Sequence, residues 1–187
     1  TVCSTSDDDA VCGYAAAALG SLCELSSCRT AMTESGLASV MANLLAKVQL
    51  VDMLQKVCGA VAKIAGHEDV RRELLGQGIV PMLVHTCQSS DDLFVQSSCT
   101  ATLSLFSKSS ADRSYLAAHN ALAAIVRCFT ESTDEQVLFN SISSIVNFAL
   151  DEDSAVYLMQ ADVLRVASSM CAADDEKAVQ MGSTLLR

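Results

Sequence analysis

The stretch Val70–Gln88, VRRELLGQGIVPMLVHTCQ, decides how the whole chain is read. Arg71, Leu74 and Leu75 suit a short helix, Gly78 permits a turn, and Pro81, the single proline of the chain, opens a second helix carrying Leu83 and Val84. Gly78 also sets a register. Steps of 42 residues from it reach Gly36 (78 − 42), Asn120 (78 + 42) and Asp162 (78 + 84), the residue types that best tolerate a left-handed turn.

Other columns fall into the same step. Leu19, Val61, Leu103 and Ile145 form one, Leu22, Ile64, Phe106 and Phe148 a second, and Met32, Leu74, Leu116 and Leu158 a third. Met53, Val95, Val137 and Val179 make a fourth, and Arg29, Arg71 and Arg113 recur until Ala155 breaks their series. A fixed period of this length is the signature of a repeat protein.

Within one period the spacing predicts a short helix over 69–77, a second over 80–88 and a longer third over 91–107, started by Asp91-Asp92. Val95, Cys99, Thr102, Leu103 and Phe106 place apolar or small side chains on one broad face of the third helix. The register puts further long helices at 8–25, 49–65, 133–149 and 175–187. It puts the shorter ones at 27–35, 37–47, 111–119, 121–131, 153–161 and 163–172. One continuous solenoid over 1–187 is expected: a partial repeat with its third helix in 7–25, then repeats at about 27–65, 69–107, 111–149 and 153–187. Both ends fall inside repeats and the first residue is Thr1, so a fragment of a longer chain is expected, with self-association through uncovered end helices as its hazard.

Composition agrees with an all-α chain. Hydrophobic residues make up 51% of 187, aromatics only 4%, and Trp is absent, which favours helices packed through small and aliphatic side chains. A net charge of −10 disfavours nucleic acid and anionic membrane. The acids cluster where helices should begin, at 7–9, 91–92, 134–135 and 174–176, where they can cap first turns. The most apolar run, Ala10 to Leu25, is too short and too rich in Ala, Gly and Ser for a membrane span.

Nine cysteines without a Cys-x-x-Cys pair or a signal peptide point to a reducing, cytoplasmic compartment. Cys87 and Cys171 share a column with Leu45 and Phe129, Cys58 with Ala16, Thr100 and Ile142, and Cys128 with Leu44, Thr86 and Met170. Cysteines that interchange with such residues read as small buried hydrophobes, so no metal site is expected; Cys23 and Cys28 are the pair to check for oxidation. His67, His85 and His119 are scattered, and no nucleophile elbow, phosphate loop or dinucleotide fingerprint occurs. Neither an enzyme nor a cofactor is expected.

The period and the run Leu74-Leu75-Gly76-Gln77-Gly78-Ile79-Val80-Pro81-Met82-Leu83-Val84 resemble the armadillo repeat, a three-helix unit of about 42 residues. Its signature is similar to an aliphatic residue, two spacers, Ala and Gly, then Ile-Pro-x-Leu-Val. Here Val is inserted before the proline and Gln replaces Ala, and the other copies carry Ser39, Ala123 and Arg165 at the proline place. HEAT repeats, with two helices, are the nearest competitor. The resemblance implies an armadillo-type solenoid, a right-handed α-α superhelix of three-helix repeats.

It also implies a function class, a non-catalytic scaffold that binds a protein or peptide along the concave third-helix surface. Family members that clamp extended peptides carry Trp-x-x-x-Asn there. Asn147 matches the Asn, whereas Ser21, Lys63 and Leu105 stand at its other places and Ala17, Gly59, Ala101 and Ser143 at those of Trp. A nuclear-import adaptor is therefore disfavoured. Counting back seven residues adds Tyr14, Lys56, Ser98 and Asn140 to one helix face. The expected groove is thus Tyr14, Ser21, Lys56, Lys63, Ser98, Leu105, Asn140 and Asn147, with the two lysines suited to an acidic peptide. The alternative is a structural spacer or self-assembly segment of a larger cytoskeletal or trafficking protein.

Overall fold

A computed structural model describes residues 6–150, 152–161, 163–171, 179–180 and 183. The turn residue Asp162, Cys3, the acids 174–176 and most of the expected helix 175–187 lie outside the described residues. Among the described residues twelve helices follow one another: α1 (Asp9–Leu22), α2 (Ser26–Glu34), α3 (Leu37–Lys47), α4 (Val51–Ala65), α5 (Glu68–Gly76), α6 (Ile79–Ser89), α7 (Leu93–Ser107), α8 (Ser110–Ala118), α9 (Ala121–Glu131), α10 (Glu135–Ala149), α11 (Glu152–Gln160) and α12 (Val163–Cys171). The long helices α4, α7 and α10 begin at 51, 93 and 135, and the short ones α5, α8 and α11 at 68, 110 and 152, each 42 residues after the last. The fold is an α-α superhelix of three-helix repeats, and the chain divides into two compact units between Thr102 and Leu103, inside α7.

Each repeat turns at the register found in the sequence. Gly36 (φ 85°), Gly78 (φ 69°) and Asn120 (φ 60°) are left-handed, and each immediately precedes the second helix of its repeat. Pro81 is the third residue of α6 and not its first. It still falls in the first turn, where a missing N–H leaves no intrahelical bond unmade.

A capping column starts the long helices. Asp8 accepts hydrogen bonds from the N–H of Ala10 and Val11, Asp92 from that of Val95, and Asp134 from those of Gln136 and Val137. Two residues before each, a serine hydroxyl receives the N–H of that aspartate: Ser6, Ser90 and Ser132, at 3.2, 3.2 and 3.1 Å. The copy at Val48 and Leu50 lacks both side chains. There Asp9 of the preceding repeat accepts the N–H groups of Gln49 (2.9 Å) and Leu50 (2.7 Å), so the entry to α4 is covered from its neighbour.

The arginine column closes the other end of the long helices. Arg29 donates to the carbonyl of Cys23, Arg71 to that of Ala65 and Arg113 to that of Ser107, always six residues back. These are the orphan C-terminal carbonyls of helices that have no continuing turn. Where Ala155 interrupts the series, Ser154 donates its hydroxyl to the carbonyl of Phe148, also six residues back, and receives the Nε–H of the buried Arg113 at 3.0 Å.

In the first unit α1 packs on α4 through two glycines. A Cβ on Gly20 would lie 2.9 Å from the Ala60 Cβ, and one on Gly13 would lie 2.9 Å from the Met53 Cβ, so only bare backbone permits this approach. The face expected of α7 is buried in full: Val95, Cys99 and Thr102 in the first unit, Leu103 and Phe106 in the second. In the second unit α10 packs on α9 and α11, with Ile145 and Phe148 buried.

A Cβ at Gly78 would meet nothing within 4 Å, so Gly78→Ala tests the backbone alone. It is expected to cost about 1–2 kcal/mol in urea unfolding, with Asn120→Gly close to neutral. Equal losses at the two positions would show that the left-handed turn is not what the column conserves across repeats.

Candidate functional site

In the first unit α1 and α4 lie side by side and bring the predicted residues Tyr14, Ser21, Lys56 and Lys63 onto one surface. The Lys56 Nζ stands 5.0 Å from the centroid of the Tyr14 ring, a cation–π contact, although Asp52 lies one turn earlier on the same helix. Lys63 is exposed. Among the described residues neither lysine is in an ion pair, whereas Lys47 pairs with Asp7 (2.6 Å), Arg72 with Glu68 (2.6 Å) and Arg29 with Asp69 (3.5 Å).

Between these side chains runs a groove of about 340 Å³. Its floor is Ala17, Gly59 and Ala60, and Ser21, Gln55, Lys56, Lys63 and Phe94 line it. That volume is at the lower end for ligand pockets, sized for one or two side chains. Phe94 enters from α7. Gln55 donates to the second oxygen of the α7 cap, Asp92, at 2.9 Å, which pins the start of α7 beside α4. Two residues on, the Phe94 ring lies against the helix backbone one turn beyond Gln55, where a Cβ on Gly59 would stand 3.3 Å from Cε1. Tyr14 is 62% exposed and Phe94 55%, so two aromatic rings border an otherwise small-residue surface.

Other predicted positions are less open. Ser98 and Asn140 are each only 7% exposed, and Leu105 is half-buried. In the second unit Asn140 accepts from Gln136 (3.2 Å), and Asn147 donates its amide to the Ser107 hydroxyl (2.9 Å). These amides serve the helix face itself. The exposed side chains of α10 are instead Phe139 (65%) and Val146 (37%).

Phe94 escaped the sequence reading because it belongs to no repeat column. Its equivalents are Ala10, Asp52 and Gln136, and only the packing of α7 against α4 brings it to Gly59. A second miss is chemical. Cys58, Cys87 and Cys99, from three different columns, meet as hydrogen-bonded thiols in the core of the first unit, all nearly inaccessible. None of the eight described cysteines is in a disulfide, and among the described residues no group of three His, Cys, Asp or Glu side chains is arranged to hold a metal ion. Cys23 is buried and Cys28 half-buried, and burial pushes the Cys23 thiol up. A second hollow of about 340 Å³ opens between α3 and α6, lined by Leu45, Val48, Pro81, Met82 and the exposed His85, with no carboxylate or lysine.

The comparisons with known proteins agree with this geometry. No protein-family model matches the chain, and no curated protein matches it. Solved structures do. A computationally designed armadillo repeat protein for modular peptide recognition superposes with a TM-score of 0.84 at 18% identity, covering 98% of this chain and 77% of its own. A designed armadillo repeat protein in complex with the peptide (KR)4 gives 0.82 at 17% identity, with 98% and 77% covered. A further designed armadillo repeat protein gives 0.82 at 18%, with 98% and 78% covered. The chain has the armadillo-repeat fold. At such identities the likeness concerns the fold alone. Among the described residues no helix is long and apolar enough to cross a membrane.

The thiol trio makes a pH prediction. Hydrogen bonds to Cys58 and then Cys87, followed by burial, hold the Cys99 thiol well above its ordinary value of 9.0. Above about pH 9 the unfolded thiol loses its proton while the folded one keeps it, so the native state binds more protons and stability falls as pH rises. Urea midpoints are expected to drop between pH 8 and 10, with a limiting slope near 1.4 kcal/mol per pH unit for one proton, and Cys99→Ala should flatten that slope. An unchanged slope in the variant would refute the assignment.

Proposed function

We propose that this armadillo-repeat chain is a non-catalytic protein-binding scaffold that takes an acidic peptide segment of a partner along its third-helix face, working in a reducing, cytoplasmic compartment. One observation carries the reading: Lys56 and Lys63 flank a side-chain-sized groove, and among the described residues no ion pair engages them, in a chain with 22 acidic and 12 basic residues. The cations that could be neutralised internally mostly are, and these two face the groove. Tyr14 and Ser21 border the same groove, and Ser98, Leu105, Asn140 and Asn147 continue the stripe on α7 and α10 as supports. The recurrence of the helices every 42 residues through α7 supports reading 1–187 as one run of repeats.

Designed proteins of this fold recognise peptides, one of them the basic (KR)4, and the cationic groove here calls for the opposite charge. A half-exposed ion pair contributes about 0.5–1 kcal/mol and charge reversal adds repulsion, so reversing both lysines should weaken an acidic peptide by at least about tenfold. The test is fluorescence anisotropy with a labelled glutamate-rich peptide of about ten residues, some 33 Å when extended. Lys56→Glu/Lys63→Glu should abolish binding that Lys108→Glu, an exposed lysine elsewhere, leaves intact, and added salt should weaken it. Tighter binding of a Lys/Arg peptide than of the glutamate peptide would overturn the reading.

A further inference from the structure

Lysines explain attraction for carboxylates; they do not explain why an aromatic ring lies half-open between them. Phe94 rests on the bare backbone of Gly59, where any side chain would press on its ring at 3.3–3.4 Å, and it still leaves 55% of its surface to water. The clamp between Gln55 and Asp92 holds the start of α7 at this place, so the ring is positioned by its neighbours. Its surroundings are apolar and shallow: Ala17, Gly59 and Ala60, with Lys56 and Lys63 two helical turns apart, about 10 Å along α4.

We propose that the slot formed by Phe94, Gly59, Ala17 and Ala60 receives one aliphatic or aromatic side chain of the partner, seated among carboxylates that meet Lys56 and Lys63. The inference rests on the acidic-segment reading above and narrows it from charge to motif. The partner's recognition element is an apolar residue with acidic residues within about three positions, the spacing at which an extended chain covers the roughly 10 Å between the lysines. Phe94 and Gly59 are then specificity-determining: Phe94 supplies the apolar wall, and Gly59 supplies the room in which that wall can lie flat on α4. Charge complementarity chooses the flanks, because the groove is cationic in an otherwise acidic chain.

The experiment uses two labelled glutamate-rich peptides that differ only in a central leucine or alanine. The native protein should bind the leucine peptide at least about tenfold more tightly, since about three buried carbon atoms distinguish the two. Phe94→Ala should remove that preference while leaving the alanine peptide's affinity unchanged. Gly59→Ala, which displaces the ring without removing it, should weaken the leucine peptide several-fold, and an unaltered thermal transition shows that each variant is folded. Equal affinity of the native protein for the two peptides would overturn the slot and leave the acidic-segment reading standing. A leucine preference that survives Phe94→Ala overturns the role given to Phe94, and binding of neither peptide overturns both readings together.

Discussion

The ends of the long helices are the constraint on which the rest of this structure depends. A helix packed among other helices cannot leave its first N–H and last C=O groups to water alone, and each long helix here has both ends beside neighbouring elements. Arginine six residues beyond the C-terminal carbonyl, and the Ser-x-Asp pair before the first turn, answer this at the same places in successive repeats. Arg113 is itself buried, and it is stable there because its donors reach the Ser107 carbonyl and the Ser154 hydroxyl. Two exceptions support the argument. Leu50, where no cap is available, is served by Asp9 from the previous repeat, and Ala155, where no arginine is available, is offset by Ser154.

Closing the helix ends locally has a consequence for the exposed face. Once the backbone is satisfied by side chains at the edges of each repeat, the middles of α1 and α4 need only pack, and glycine and alanine suffice there. Small residues let the helices approach, and their outward neighbours Ala17 and Gly59 leave a hollow. Chemistry in that hollow comes from its rim: Lys56 on Tyr14, Lys63 in solvent, and Phe94 arriving from the next long helix.

Much of the architecture was legible before any coordinates. The columns of Gly36, Gly78 and Asn120, of the arginines, and of Val95, Leu103 and Phe106 each recur because every repeat must bury the same face and turn at the same point. Helix bounds moved by only one to three residues, and for identifiable reasons: Asp92 stays outside α7 as its cap, and α1 stops at Leu22 because Leu25 becomes the cap residue of α2. The site was legible only in part. Counting residues along a helix gives its faces, so the stripe from Tyr14 to Lys63 could be drawn, but counting cannot say how deeply a neighbour covers each face. Ser98 and Asn140 lie on the stripe and are buried.

By itself, then, the amino-acid order determined the period, the three-helix unit, the left-handed turns and the all-α class, because these depend on interactions within about one repeat and return with it. Tertiary structure alone decided which residues meet across repeats. Asp9 reaches Gln49 and Leu50, Gln55 reaches Asp92, Phe94 lies on Gly59, and Cys58, Cys87 and Cys99 share a core. None of these pairs shares a repeat column. Each depends on how far one helix slides and rotates against the next, a geometry set by side-chain packing in the interface between repeats, which the spacing of residues along one chain does not contain.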